Sequence, residues 1–309
     1  MKIYLINESL IERQWLAAAL KMSSETDSVV CLERGYELEV EESSFTSALV
    51  IVTQEQFPAL RRQLSKSYAA TELPCPILIL SESFDSFDVS GYRHATLDAF
   101  PTHAITPQIL KYLLSTLKRD FRKELRLKRL AHYDTLTGAT NRYLFSDRAK
   151  QAIASSKRQN EALSLLYFDL DKFKDINDKY GHNTGDEYLK AFVDTVSQNI
   201  RDTDTLGRLG GDEFGLLLPK SKLEDAEHKA KQILKALASK RIINQKRLTI
   251  ATSIGIVAVD DEHVLPDINY KILVGFADSA AFAAKKKGKH RYEIYQAKTR
   301  KREKSELTV

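Results

Sequence analysis

Cysteine is scarce in this chain: Cys31 and Cys75 are the only two in 309 residues. Two thiols make no disulfide framework, so a reducing cytoplasm is the expected compartment. Long apolar runs are missing too. No stretch approaches the roughly 20 apolar residues that a membrane span requires, and the apolar segment after Lys2 stops at Asn7-Glu8, so neither a span nor a signal peptide is expected. Charge of one sign is not in large excess. With 47 Lys and Arg against 42 Asp and Glu the net charge is +5, too little to demand a nucleic-acid partner. Internal repeats and low-complexity tracts are absent, and the length suits two domains with ample cores.

Chemistry concentrates in Arg208-Leu209-Gly210-Gly211-Asp212-Glu213-Phe214-Gly215-Leu216-Leu217-Leu218, where two apolar arms flank a Gly-Gly-acid-acid centre. That pattern predicts a β-hairpin with carboxylates at its tip. Gly210 and Gly211 are expected to supply the positive φ angles of a tight turn and to leave room for a phosphate against the backbone. Upstream, the apolar strand Leu163–Phe168 runs straight into Asp169-Leu170-Asp171. Asp169 and Asp212 can therefore converge at one sheet edge, as hard oxygen ligands for Mg²⁺ held together with substrate phosphates. A calcium loop starting at Asp169 is excluded, because Phe173 and Lys174 occupy positions that need a ligand and a glycine.

The string Gly210–Phe214 resembles the signature of the GGDEF family, the diguanylate cyclases, which join two GTP molecules into cyclic di-GMP. Further matches follow in order over roughly residues 131–297: Asp134-Thr135-Leu136-Thr137-Gly138 with Asn141-Arg142, then Phe173-Lys174 and Ile176-Asn177, Gly181-His182-Asn183-Thr184-Gly185-Asp186, Ser253-Ile254-Gly255-Ile256, and Ala277-Asp278 through Lys285, Gly288 and Lys289. The resemblance implies a cyclase- or palm-like mixed sheet and two Mg²⁺ per active site, with Mn²⁺ as a substitute. It implies Asp169, the Leu170 carbonyl and Asp212 as metal ligands. Asp212, Glu213 and Lys285 become the catalytic residues, with Glu213 a further ligand or a proton acceptor.

Two ions about 3.5–4 Å apart stabilise both the attacking and the leaving oxygen in such reactions. Asn177 and Asp186 occupy the family's guanine-reading positions; an amide and a carboxylate match the guanine edge, whereas adenine would leave the acid unpaired. Gly210 and Gly211 would line the phosphates. Lys285 and Lys289, four apart on an expected helix, would share one face and reach the same phosphate; the family more often has Arg at the second of these. Arg201-Asp202-Thr203-Asp204 stands where the family binds its product as an inhibitor, with Arg201 and Asp204 as the contacts. Ala230-Lys231-Gln232-Ile233-Leu234 lacks the additional arginines that many relatives carry there. A homodimer is implied, because each site holds one GTP and the product needs two.

Earlier in the chain, Ile3–Ile6, Ala48–Val52, Ile77–Leu80 and Leu97–Phe100 alternate with helical stretches such as Leu10–Met22 and Phe57–Lys66. Short buried strands between helices predict a parallel α/β sheet, and the pattern resembles a response-regulator receiver with flavodoxin-like order. The functional residues of a receiver are replaced: Asn7-Glu8 for the acidic pair, Thr53 for the phosphoacceptor and Thr102 for the lysine, with Ser81 keeping its hydroxyl. The expected organisation is a pseudo-receiver over 1–104, a connector helix over 105–130, the GGDEF domain over 131–297 and a polar tail over 298–309. The connector carries Leu110, Leu114, Leu117, Phe121 and Leu125 at three- and four-residue steps, which suits pairing in a dimer. Its basic second half reads as a solvated face, and no helix-turn-helix pattern supports DNA binding.

Overall fold

In the computed structural model the described residues are 2–23, 28–38, 48–64, 75–83, 96–260 and 268–295; the expected polar tail and the last two residues of Phe57–Lys66 lie outside them. Two compact units divide the chain between Lys128 and Arg129.

The first unit is built on a five-stranded, all-parallel sheet. Its strands are β1 (Lys2–Ile6), β2 (Ser28–Leu32), β3 (Ala48–Thr53), β4 (Ile77–Ser81) and β5 (Leu97–Pro101), in the order β2-β1-β3-β4-β5. That is the expected flavodoxin-like order. β2 is the strand the sequence reading missed: it lies at a sheet edge with no residue fully buried, although Val29-Val30-Cys31-Leu32 is an apolar run.

Helix α1 (Leu10–Ser23) and the first half of α3 (Pro107–His132) cover one face through Leu16, Leu20, Leu110, Leu114 and Leu117, and α2 (Phe57–Leu64) covers the other through Phe57, Leu60 and Leu64. Thus the beginning of α3 is core of this unit, with Leu127 and Leu130 exposed further along. At the strand ends Asn7 is buried and donates to Glu12 over 2.9 Å, Gln56 donates to Glu8 over 2.5 Å, and the Thr102 hydroxyl donates to the Ser81 carbonyl over 3.3 Å. Thr53 closes β3.

The second unit has a mixed sheet ordered β12-β11-β6-β8-β7, from β6 (Leu163–Leu170), β7 (Thr205–Arg208), β8 (Glu213–Pro219), β11 (Thr252–Val259) and β12 (Tyr292–Ile294). All pairings are antiparallel except β11 with β12. A separate two-stranded hairpin joins β9 (Arg241–Ile243) to β10 (Lys246–Leu248).

β6 is central and covered on both faces, which explains its nearly continuous apolar run. Leu166, Phe168 and Leu170 pack toward α6 (His182–Ser197) and α7 (Leu223–Leu237), while Leu163, Leu165 and Tyr167 pack toward α4 (Arg142–Gln159) and α8 (Tyr270–Lys286). Side chains alternate along a strand. Asp169 therefore emerges on the α4/α8 face, just where the apolar packing ends.

Candidate active site

Register brings the acids together. Asp169 on β6 lies opposite Glu213 on β8 and Ser253 on β11, and directly opposed residues of an antiparallel ladder share a face. Asp212, the residue before β8, accepts from the Leu170 backbone N–H through its carbonyl over 3.2 Å. From α8, Lys285 Nζ reaches Asp169 Oδ2 at 2.5 Å, whereas Asp169 Oδ1 is buried without a hydrogen-bond partner. Burial pushes the Asp169 carboxyl above its usual range; Lys285 opposes this, and the charges of Asp212 and Glu213 add to it. Tyr167, two residues earlier on the same face, is pushed up chiefly by burial and then by Glu213.

An orphaned carboxylate oxygen beside two further acids is a place short of positive charge. Among the described residues no three His, Cys, Asp or Glu side chains already form a metal cage. Mg²⁺ does not require one, since it usually takes one or two carboxylates and completes its shell with waters and substrate phosphates. The residues fit such an ion.

The hairpin forms as expected, but Gly210 and Gly211 do not have positive φ; among the described glycines only Gly138, Gly181 and Gly288 do. Their role is clearance. A Cβ on Gly210 would stand 2.7 Å from Glu213 Oε2, and one on Gly211 would meet nothing within 4 Å, which leaves the open approach that a phosphate needs. Arg208 holds the turn instead, donating from Nε and Nη2 to the Gly211 carbonyl at 3.0 and 2.7 Å and from Nη1 to Asp134 at 3.1 Å. Asp134 also accepts from the Thr137 N–H and hydroxyl at 2.9 and 2.6 Å. Its carboxyl lies below the usual range: burial works against this, and the bonds from Thr137 and Arg208 outweigh it. Both residues stood inside motifs, yet their link spans 74 positions and only the fold reveals it.

Lys285 and Lys289 do not share a helix face. α8 ends at Lys286, and Gly288 at φ +118° turns the chain so that Lys289 lies beyond the helix at φ +64°. The Lys289 N–H returns to the Ala284 carbonyl over 3.1 Å, a helix-terminating bond. The turn is anchored by the buried Asp171, which accepts from the His290 N–H at 2.9 Å and the Ser253 hydroxyl at 2.8 Å. Asp171 was quoted in the sequence pattern without a role.

Asn177 lies on α5 (Phe173–Tyr180), and a Cβ on Gly185 of α6 would fall 1.9 Å from its Oδ1. The missing side chain brings the Asn177 amide against the backbone that carries Asp186. Arg201 is exposed, whereas Asp204 is buried and its Oδ2 accepts the Arg201 backbone N–H at 2.9 Å. This pair closes its own turn.

The family model described as "Diguanylate cyclase, GGDEF domain" matches residues 131–291. Among curated proteins, the diguanylate cyclase DosC of Escherichia coli K12 is 36% identical over 166 residues, 53% of this chain and 35% of that protein. MucR of Pseudomonas aeruginosa, a bifunctional diguanylate cyclase and cyclic di-GMP phosphodiesterase, is 34% identical over 171 residues, 55% of this chain and 24% of that protein. The chain thus spans about a third or less of the length of these relatives. Among solved structures, the GGDEF domain of YfiN (TpbB) from Pseudomonas aeruginosa is 30% identical with a TM-score of 0.50, covering 53% of this chain and 95% of that one. The GGDEF domain of DgcB from Caulobacter crescentus in complex with cyclic di-GMP is 25% identical with a TM-score of 0.50, covering 54% and 94%. With its family pattern matched over more than half its length and its acids gathered at the tip of the matching hairpin, this chain belongs to the GGDEF family.

Proposed function

We propose that the chain is a diguanylate cyclase that condenses two GTP into cyclic di-GMP and releases pyrophosphate. The observation that carries this reading is the convergence of Asp169, Glu213 and Lys285 beside the open Gly210-Gly211 turn. Asp169 Oδ1, the Leu170 carbonyl and Asp212 would hold Mg²⁺ or Mn²⁺, with Glu213 beside them. The ions supply Lewis-acid neutralisation of charge on the reacting phosphates.

The protein's own groups orient and select. Lys285 places a cation against Asp169 and, with phosphate present, offers its charge to the leaving pyrophosphate. Lys289 reaches the phosphates from the turn after α8. Asn177 and Asp186 read guanine, and Gly210-Gly211 leave the triphosphate room.

Each site holds one GTP, so product forms between two copies in a homodimer whose two-fold axis matches that of cyclic di-GMP. Arg201 is the phosphate-gripping residue of an inhibitory product site, with Asp204 holding the loop that presents it. Purified protein with GTP and Mg²⁺ is expected to give cyclic di-GMP and pyrophosphate by chromatography, and to leave ATP unchanged. Added cyclic di-GMP lowers the rate, and Arg201→Ala relieves that inhibition. A chain that binds GTP yet yields no product at any protein concentration is a nucleotide sensor instead.

The first unit reads as a pseudo-receiver over 1–104, with 105–130 as connector and 131–297 as the cyclase domain. Phosphorylation of a receiver acts by adding charge and acceptor oxygens at one aspartate, and Thr53 stands in that place at the end of β3. Beryllofluoride and acetyl phosphate are therefore expected to leave both the rate and the mass seen by light scattering unchanged. A beryllofluoride-induced dimer would locate a working acceptor elsewhere.

A further inference from the structure

Tyr167 is 5% exposed and brings a hydroxyl to the boundary between the apolar packing of β6 and the acids. Its neighbours across both ladders are glycines, Gly215 on β8 and Gly255 on β11, so no Cβ flanks the ring on either side. It packs with the α4/α8 cluster of Phe145, Ala277 and Ala281. Two residues further on, Asp169 and Glu213 oppose each other, which makes Glu213 the diagonal neighbour of Tyr167 on the same face. The phenol lies close enough to the Glu213 carboxylate, and then to Asp278 and Asp169, for their charges to act on it. On its other side Glu213 Oε2 stands over the bare backbone of Gly210. The carboxylate thus lies between the phenol and the hairpin turn.

We propose that Tyr167 is a positioning residue for Glu213: its hydroxyl selects one carboxylate orientation and leaves the other oxygen toward Asp169 and Asp212, so that the divalent cation meets a preformed ligand. This rests on the cyclase reading above. A half-exposed glutamate at the tip of a hairpin otherwise samples several rotamers, and each bound ion must first select among them. A charge-assisted hydrogen bond removes that selection. The α4/α8 core does not need the hydroxyl, because the ring alone fills the space between Phe145 and α8.

Tyr167→Phe keeps the ring and deletes the donor. The expected result is a rise of about tenfold in the Mg²⁺ concentration that half-saturates turnover, the size of one charge-assisted hydrogen bond. At saturating metal the KM for GTP stays within about twofold, since no guanine or phosphate contact is touched. Mn²⁺ binding followed by electron paramagnetic resonance, with the non-reacting 3′-deoxy-GTP bound, reads the same step without turnover and is expected to weaken by a similar factor.

Unchanged metal half-saturation and unchanged Mn²⁺ affinity would overturn the proposal, whether or not the thermal midpoint moves. Weaker GTP binding with unaltered Mn²⁺ affinity would overturn it as well. A wild-type chain that makes no product sinks the cyclase reading alone, because the resonance measurement still compares the two proteins.

Discussion

Asp169→Asn is expected to lower cyclic di-GMP formation by on the order of 10³-fold while leaving the chain folded, with a thermal midpoint at neutral pH equal to or above that of the wild type. The loss of rate follows from position. Asp169 is the acid of β6 in register with Glu213, and its Oδ1 is the buried oxygen without a partner; an amide there presents a weak neutral acceptor or, turned over, a donor aimed at a cation. The gain in stability follows from charge. Burial and the neighbouring Asp212 and Glu213 raise the Asp169 carboxyl even though Lys285 works the other way. A carboxyl whose folded-state pKa lies above the unfolded value binds its proton more tightly in the native state. Its contribution to stability is therefore present below the unfolded pKa and lost as the pH rises through the folded one. Asparagine carries no charge to bury, so the variant's advantage grows through that window and persists at neutral pH. Product chromatography and calorimetry at neutral and mildly acid pH test both parts. A wild-type rate would remove Asp169 from the metal site, and a midpoint well below wild type at neutral pH would show that the Lys285 pair outweighs the burial of charge.

That opposition between stability and chemistry is common where a site must bind charge, and it was only partly legible in the sequence. β1, β3 and β4 were readable because each is a short apolar run buried on both faces inside a parallel sheet, and β5, half-buried at one edge, was readable through Leu97, Ala99 and Phe100. β2 was missed although Val29-Val30-Cys31-Leu32 is an apolar run; it lies at the other edge with no residue fully buried. The acids were readable as residues and, through the predicted hairpin, as neighbours. Three details were not. The turn glycines were expected to supply positive φ as well as room for a phosphate; neither has positive φ, and at Gly210 the room is also needed by a side chain three residues on. Helical periodicity was carried from Lys285 to Lys289 across Gly288, whose positive φ ends the helix. The tie between Asp134 and Arg208 joins distant segments and leaves no local signal. Tyr167 was hidden differently: in an apolar strand a tyrosine reads as one more large core residue, and the register that places its hydroxyl beside Glu213 exists only in the folded sheet.

Register also sets the second large effect. Gly255→Ala is expected to lower the thermal midpoint of the C-terminal unit by about 5–10 °C and the rate by about 100-fold. Gly255 sits in β11 directly opposite Tyr167, where α8 crosses so closely that a Cβ would fall 1.8 Å from the Ala277 carbonyl oxygen and 2.4 Å from the Ala281 nitrogen. Both are helix backbone atoms, so no rotamer change relieves the overlap and α8 itself must retreat. Overpacking of this kind costs about 1–3 kcal/mol and more where the obstacle is rigid. The rate falls for a separate reason: Lys285 lies one turn beyond Ala281 on the same helix, and its contact with Asp169 is 2.5 Å. A helix displaced by about 1 Å takes the ammonium out of place, and misplacement of that size costs about 10²-fold. Gly275 provides the internal comparison. It is exposed on α8 with nothing within 4 Å of an added Cβ, so Gly275→Ala is expected to stabilise by about 0.5–1 kcal/mol through helix propensity and to keep the wild-type rate. Calorimetry and turnover on the two variants separate the helix's own preference from its seat on the sheet. If Gly255→Ala behaved like Gly275→Ala, the close approach of α8 to β11 would not be what holds Lys285 at the acids.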